Sequence, residues 1–156
     1  MNAAAVTFAA VFAALYAAHS FGDHWVQTHR QALGKGAPGW AGRVWCARHV
    51  ITLTITKLVA LLALTAVTGL DIHPAWLAAG LLVDAVSHYW ADRAARWEDR
   101  PDDTLVTLEW LAKKLRKHGF YKLGAGHLGS GAYALDQSFH VAWLFVTALI
   151  IAVGAR

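Results

Sequence analysis

Four stretches of this chain are apolar for long enough to approach the ~20 residues that an α-helix needs to cross a bilayer. They run over about 3–21, 50–70, 74–90 and 133–153. The first is rich in alanine, and Lys57 interrupts the second. The third opens on Pro74, a residue tolerated at a helix start, and contains Asp84 and His88. The expected fold is all-α: a polytopic membrane protein built as a four-transmembrane-helix bundle, with residues 1–156 forming one membrane domain.

Composition agrees with that class. Hydrophobic residues make up 57% of the chain and charged residues 15%, too apolar a balance for an ordinary soluble domain of this size. Eight Trp and four Tyr suit helix ends at headgroup depth, where amphipathic rings are favoured. The formal charge of +4 fits contact with anionic lipid headgroups at basic loops, and no specific nucleic-acid partner is expected. One cysteine, Cys46, excludes an internal disulfide and a thiolate zinc cage. The N-terminal run lacks the basic segment of a cleaved signal, so it is read as a retained first span. Gly124, Gly126 and Gly129 match a GxGxxG pattern by letter, but no strand precedes them to give that motif its mechanism.

Between spans three and four, residues of about 102–117 carry leucines at rough helical spacing, Asp102 and Asp103 first and Lys113, Lys114, Arg116 and Lys117 last. That order suits the helix dipole, and the segment is expected to be an amphipathic helix lying in the interface. Lysines and arginines also set the orientation. The first loop holds four and the third loop eight, against Arg156 alone on the other side. The positive-inside rule therefore places loops one and three in the cytoplasm and both termini outside, in a bacterial-type inner membrane.

On this topology the ionisable residues gather at one face. His19 and Asp23 end span one, and His49 begins span two. Asp84, His88 and Asp92 close span three, and Asp136 and His140 open span four. His19–Asp23, Asp84–His88–Asp92 and Asp136–His140 are spaced i,i+4, which puts each set on one helix face about 6 Å apart along the axis. Gln27 extends the first series and Gln137 follows Asp136 as neighbours able to orient a ligand. Lys57 lies eight residues from His49, and Asp84 eight from Asp92, so the two share a depth and are expected to form an ion pair, since neither charge should stay unpaired in hydrocarbon. His24, His29, His73, His118 and His127 fall in loops and are read as solvated.

Imidazoles and carboxylates without thiolates are a ligand set for zinc, manganese or non-haem iron, and helical bundles assemble such sites from inward-facing residues. His19, His49, His88 and His140 are the first candidate ligands. Asp23, Asp84, Asp92 and Asp136 are candidate ligands, orienting groups or a general base. Four His and four Asp would serve one or two divalent ions, with zinc favoured. A metal beside a carboxylate is the usual apparatus of hydrolysis.

The ordered motifs resemble a family of small bacterial and phage membrane proteins of unknown function. Its marks are HxxxDxxxQ (His19, Asp23, Gln27), a lone His (His49), DxxxHxxxD (Asp84, His88, Asp92) and DQxxH (Asp136, Gln137, His140). Lys57 and the long basic third loop are not part of that pattern. The set is also similar in residue types to inner-membrane proteins described as metal-dependent hydrolases. The family implies a membrane protein without an activity. The His/Asp set itself leads to a membrane-embedded metal-dependent hydrolase, and a site at headgroup depth beside a basic interfacial helix points to a phosphorylated lipid or other amphiphile as substrate. A proton or metal transporter using the same residues, or a non-catalytic membrane adaptor, are the alternatives, and a homo-oligomer fits any of them.

Overall fold

The computed structural model describes residues 2–94, 108–124 and 130–155. Among these the structure is helical throughout, with no strand. Helix α1 (Ala3–Phe21) starts where the Asn2 side chain accepts a hydrogen bond from the Ala4 amide at 3.0 Å, an N-cap contact. It passes without a break into one π-helical turn, Gly22–Val26. Gly22 lies so close to Leu53 that a Cβ there would collide with it.

A capping box opens α2 (His29–Gly34): the Thr28 amide donates to Gln31 Oε1 at 2.8 Å, and the Gln31 amide donates to Thr28 Oγ1 at 3.2 Å. Pro38 then precedes α3 (Gly39–Thr68), 30 residues long, which ends at Gly69 in the left-handed region that glycine occupies without strain. Helix α4 (Pro74–Ala94) follows, then the short α5 (Leu108–Lys114) and α6 (His118–Tyr121). Helix α7 (Gly131–Val153) is capped by Ser130, whose hydroxyl accepts from the Tyr133 amide at 3.2 Å.

Among the described residues, three helical segments are long and apolar enough to cross a membrane: Ala3–Val26, Gly39–Thr68 and Gly131–Val153. Helix α4 has 21 residues but carries Asp84, His88 and Asp92, which lower its apolar character. The four long helices pack as a ring, α1 against α3 and α7, and α4 against the same two.

Two boundaries differ from the sequence expectation. The second apolar stretch was placed at about 50–70, whereas α3 begins at Gly39. Nothing between Pro38 and Val50 breaks a helix, so the segment bearing Arg43 and Arg48 is its first turns. The amphipathic segment is expected over about 102–117, and among its described residues α5 covers Leu108–Lys114, so the helix stops at Lys114 rather than Lys117. Arg116, at a positive φ of 57°, separates α5 from α6. Residues 102–107 lie outside the described residues, as do His127, Gly126 and Gly129.

The bundle interior is layered. One half is closed by an apolar cluster of Val11, Leu15, Leu61, Leu81, Leu144, Ala148 and Ile151. Moving along the helices from there, α1 reaches His19, α3 reaches Lys57 and then His49, α4 reaches Asp84 and then His88, and α7 reaches His140. The outer surface is apolar instead, with Ile51, Ile55, Val59, Leu62, Leu82, Val86, Leu149 and Val153 all exposed. An apolar exterior around a polar interior is stable only where the surroundings are themselves apolar.

Gly80 brings α4 and α7 together: a Cβ there would meet Ile151 Cγ1 at 2.7 Å and the Thr147 carbonyl at 3.2 Å. Gly80→Val should therefore destabilise the bundle by about 1–3 kcal/mol through overpacking. Unfolding of the detergent-solubilised protein measures this, and unchanged stability would mean that α4 does not approach α7 so closely.

Candidate metal centre

Local structure aims each side chain of the cluster. On α1, α4 and α7 the i,i+4 spacing stacks His19 with Asp23, His88 with Asp92, and Asp136 with His140 on inward faces. The π-helical turn carries Asp23 and lets the chain turn off the bundle directly afterwards, a frequent use of such turns at functional sites. The four histidines His19, His49, His88 and His140 are 1–3% exposed. Their rings form a chain of contacts, with centroids 5.4 Å apart for His19–His88, 5.1 Å for His49–His88, 5.2 Å for His19–His140 and 4.1 Å for His88–His140.

At the middle of this group, four atoms from three helical segments converge. His49 Nε2 lies 3.2 Å from Asp23 Oδ1, 3.0 Å from His88 Nε2 and 3.3 Å from Asp92 Oδ2. His88 Nε2 lies 3.3 Å from Asp92 Oδ2 and 3.9 Å from Asp23 Oδ1. One imidazole nitrogen carries at most one proton, so His49 Nε2 cannot donate to three neighbours. Asp23 Oδ1 and Asp92 Oδ2 are buried and make no hydrogen bond.

The cluster thus has more lone pairs than protons, and buried acceptors left in that state are costly. A cation resolves the deficit. Donors at the roughly 2.0–2.2 Å typical of zinc ligation stand about 3.3–3.5 Å apart, close to the separations of His49 Nε2 from Asp23 Oδ1 and of His88 Nε2 from Asp92 Oδ2. Two overlapping groups could hold a metal ion, Asp23–His49–His88 and His88–Asp92–His140, and they share His88.

The remaining candidates take different positions. His19 Nε2 is 3.5 Å from Asp23 Oδ2, and both its ring nitrogens are buried without a hydrogen bond. His140 Nε2 is 3.6 Å from Asp136 Oδ1, while the other Asp136 oxygen accepts from the Gln137 amide at 3.3 Å. Gln27 Nε2 is buried and without a hydrogen-bond partner. Asp84 stands apart from both ligand groups. Its two oxygens accept from Lys57 Nζ at 2.9 and 2.6 Å, one turn deeper than His88.

A cavity of about 430 Å³ reaches the cluster from the end where residues 22–38, 118–124 and 130–133 lie. It is lined by Asp23, Asp92 and Asp136 together with Lys35, Gln27 and Tyr133, among others. Three of its features escaped sequence reasoning. Lys35 Nζ binds Asp92 Oδ1 at 2.7 Å, though its position in a loop had marked it only as part of the basic balance. His24, expected to be solvated, donates through Nδ1 to the Ser20 carbonyl at 2.7 Å, so its Nε2 is left to accept from the Tyr133 hydroxyl at 3.0 Å. Arg93 donates to the Lys35 and Ala37 carbonyls at 3.0 and 2.7 Å. The one legible signal was Thr28-x-x-Gln31, a capping-box pattern that marks the start of α2 and so the course of the chain toward Lys35.

Comparison with protein-family models, with curated proteins and with solved structures finds no match.

The Lys57–Asp84 pair sits in the apolar interior with the lysine fully buried. Removing one partner strands the other charge, so Lys57→Met alone should cost about 3–5 kcal/mol. Lys57→Met combined with Asp84→Asn should cost less, because no lone charge remains. Unfolding in detergent compares the two variants, and an equal or greater loss in the double variant would count against the pair as a stabilising unit.

Proposed function

We propose that this chain is a membrane-embedded metal-dependent hydrolase, a four-span bundle whose His/Asp centre opens toward the cytoplasm and acts on an amphiphile held at headgroup depth. The observation that carries this reading is a pair of triads, Asp23–His49–His88 and His88–Asp92–His140, that share His88, with His49 Nε2 3.2 Å from Asp23 Oδ1 and 3.0 Å from His88 Nε2, and Asp23 Oδ1 and Asp92 Oδ2 buried without a hydrogen bond. These residues would hold a divalent ion. Nitrogen and oxygen donors grouped in threes favour zinc, whose catalytic sites take three protein ligands and keep a fourth position open for water, over manganese or iron, which take more ligands. A second ion could use His140 together with His88 and Asp92.

A zinc ion so placed supplies Lewis acidity for attack by water. Asp136 is the general base. It lines the cavity beside His140, and one of its oxygens is buried and unpartnered while Gln137 holds the other. It would take a proton from the attacking water and return that proton to the leaving oxygen of the substrate, which departs as the hydroxyl. His19 and Asp23 Oδ2 form an outer contact that fixes the Asp23 carboxylate, an arrangement that orients ligands in metal sites.

Fourth-span character for α4 rests on its length of 21 residues and on its packing between α3 and α7. Its polar residues face inward, where Lys57 and the other histidines meet them. The cytoplasmic orientation rests on the excess of Lys and Arg in the first and third connections. Transport by the same residues is the poorer reading, because the apolar cluster from Val11 to Ile151 closes the interior beyond the Lys57–Asp84 pair.

Elemental analysis of the detergent-purified protein tests the centre. Wild type and His73→Ala should carry stoichiometric zinc, and His49→Ala and His88→Ala should lose most of it. Asp136→Asn should keep the metal and lose about 10²–10⁴-fold in hydrolytic turnover, the usual share of a general base. A folded wild type that takes up no divalent metal would overturn the reading.

A further inference from the structure

Lys35 is held in place from three directions. The capping box of Thr28 and Gln31 starts α2, and the Gln31 side chain donates to Thr52 Oγ1 on α3 at 3.3 Å, so the helix leading to Lys35 is pinned to the bundle. Past α2, the buried guanidinium of Arg93 bonds the carbonyls of Lys35 and Ala37. Gly42 makes room for this strap, since a Cβ there would collide with the Ala37 carbonyl and stand 2.5 Å from Arg93 Nη1. Lastly, Asp92 Oδ1 anchors the ammonium itself at 2.7 Å. A lysine that served only as surface charge would not need a buried arginine to set its backbone.

The Lys35 side chain is 14% exposed and lines the cavity above the His/Asp cluster. Asp92 engages one of the three ammonium donors, which leaves donors over. Gln27, on the same cavity wall, has a buried amide nitrogen with no acceptor. Two donors in excess in a cavity that Asp23 and Asp92 also line fit an occupant with several acceptor oxygens fanning in different directions. We infer that Lys35 is the residue that recognises the substrate's anionic group, and that this group is a tetrahedral phosphoryl oxyanion gripped between Lys35 with Gln27 on one side and the metal centre on the other. Arg93 is the positioning residue that keeps Lys35 there.

This inference rests on the metal reading above, because Asp23, Asp92 and Asp136 line the same cavity and repel an anion until a divalent ion offsets them. Two sources share the chemistry, free phosphate and the phosphate of a lipid headgroup. The rival role for Lys35 is purely local: it would neutralise the outer oxygen of Asp92 and so support metal binding alone.

Titration of inorganic phosphate into the zinc-loaded, detergent-purified protein separates these roles, with metal content measured on the same samples. Wild type should bind phosphate when loaded with zinc. Lys35→Gln should keep the metal and weaken phosphate by about tenfold or more, as expected for loss of a charge-assisted hydrogen bond. Lys35→Arg should restore most of that affinity, and Arg93→Gln should weaken phosphate severalfold with the metal retained.

A short-chain phosphatidic acid in mixed micelles is the second probe. Tighter binding than inorganic phosphate, with the same Lys35 dependence, identifies a lipid headgroup; equal binding identifies free phosphate. Zinc-loaded wild type that binds neither probe, or Lys35→Gln that binds both as well as wild type, overturns the inference and leaves the metal centre standing. Loss of metal in Lys35→Gln with unchanged phosphate affinity per loaded molecule also overturns it, in favour of the local role. Protein that takes no metal but binds phosphate through Lys35 refutes the metal centre and keeps the anion site. Protein that binds neither metal nor phosphate refutes both.

Discussion

An ionisable side chain inside an apolar bundle is costly unless another group meets its charge or its lone pairs. That constraint organises the interior here. Lys57 and Asp84 neutralise each other at the deepest polar level, and Lys35 neutralises one oxygen of Asp92 at the shallowest. Between them lie four imidazoles and the inner oxygens of two carboxylates, and Asp23 Oδ1, Asp92 Oδ2 and both His19 nitrogens make no hydrogen bond. The bundle is therefore saturated with charge pairing at both edges of the polar layer and short of positive charge at its middle, which is where a cation would bind.

The same constraint explains the division of labour among the helices. An apolar outer face and an apolar plug at one end leave a single region in which polar side chains accumulate. Each of the four long helices contributes to it from its own end, so the residues converge without any helix having to bend. Gly80 lets α4 approach α7, and Gly22 lets the end of α1 rest on Leu53 of α3. Those close approaches tighten the ring enough for ring–ring contacts of 4.1–5.4 Å among the histidines.

Access is built from the short elements. The π-helical turn directs the chain off α1 just after Asp23, α2 and the segment to Pro38 return it across the mouth, and α6 with the first turn of α7 closes the other side. The hydrogen bond between Tyr133 and His24 ties these two rims together. The cavity they enclose is lined by the carboxylates of Asp23, Asp92 and Asp136 together with Lys35 and Gln27, and the cluster histidines lie buried beside those carboxylates. A site entered from one end alone suits chemistry on a bound molecule better than passage through the bundle.

Reading the chain as a string already determined a good deal. Hydrophobic run lengths required helices long enough to cross a membrane, and i,i+4 spacing required His19 with Asp23, His88 with Asp92 and Asp136 with His140 to share faces, because helical periodicity depends only on local order. The equal depth of Lys57 and Asp84 followed from the same arithmetic. What periodicity could not supply is which atoms touch. Asp84 and Asp92 have the same residue type and the same helix face, yet one is occupied by Lys57 and the other stands among the histidines, a difference set by how α3 is rotated against α4. Lys35 and Arg93 were invisible as site residues because the route of a short connection across the bundle mouth depends on packing against α3 and α4, and no local rule encodes it.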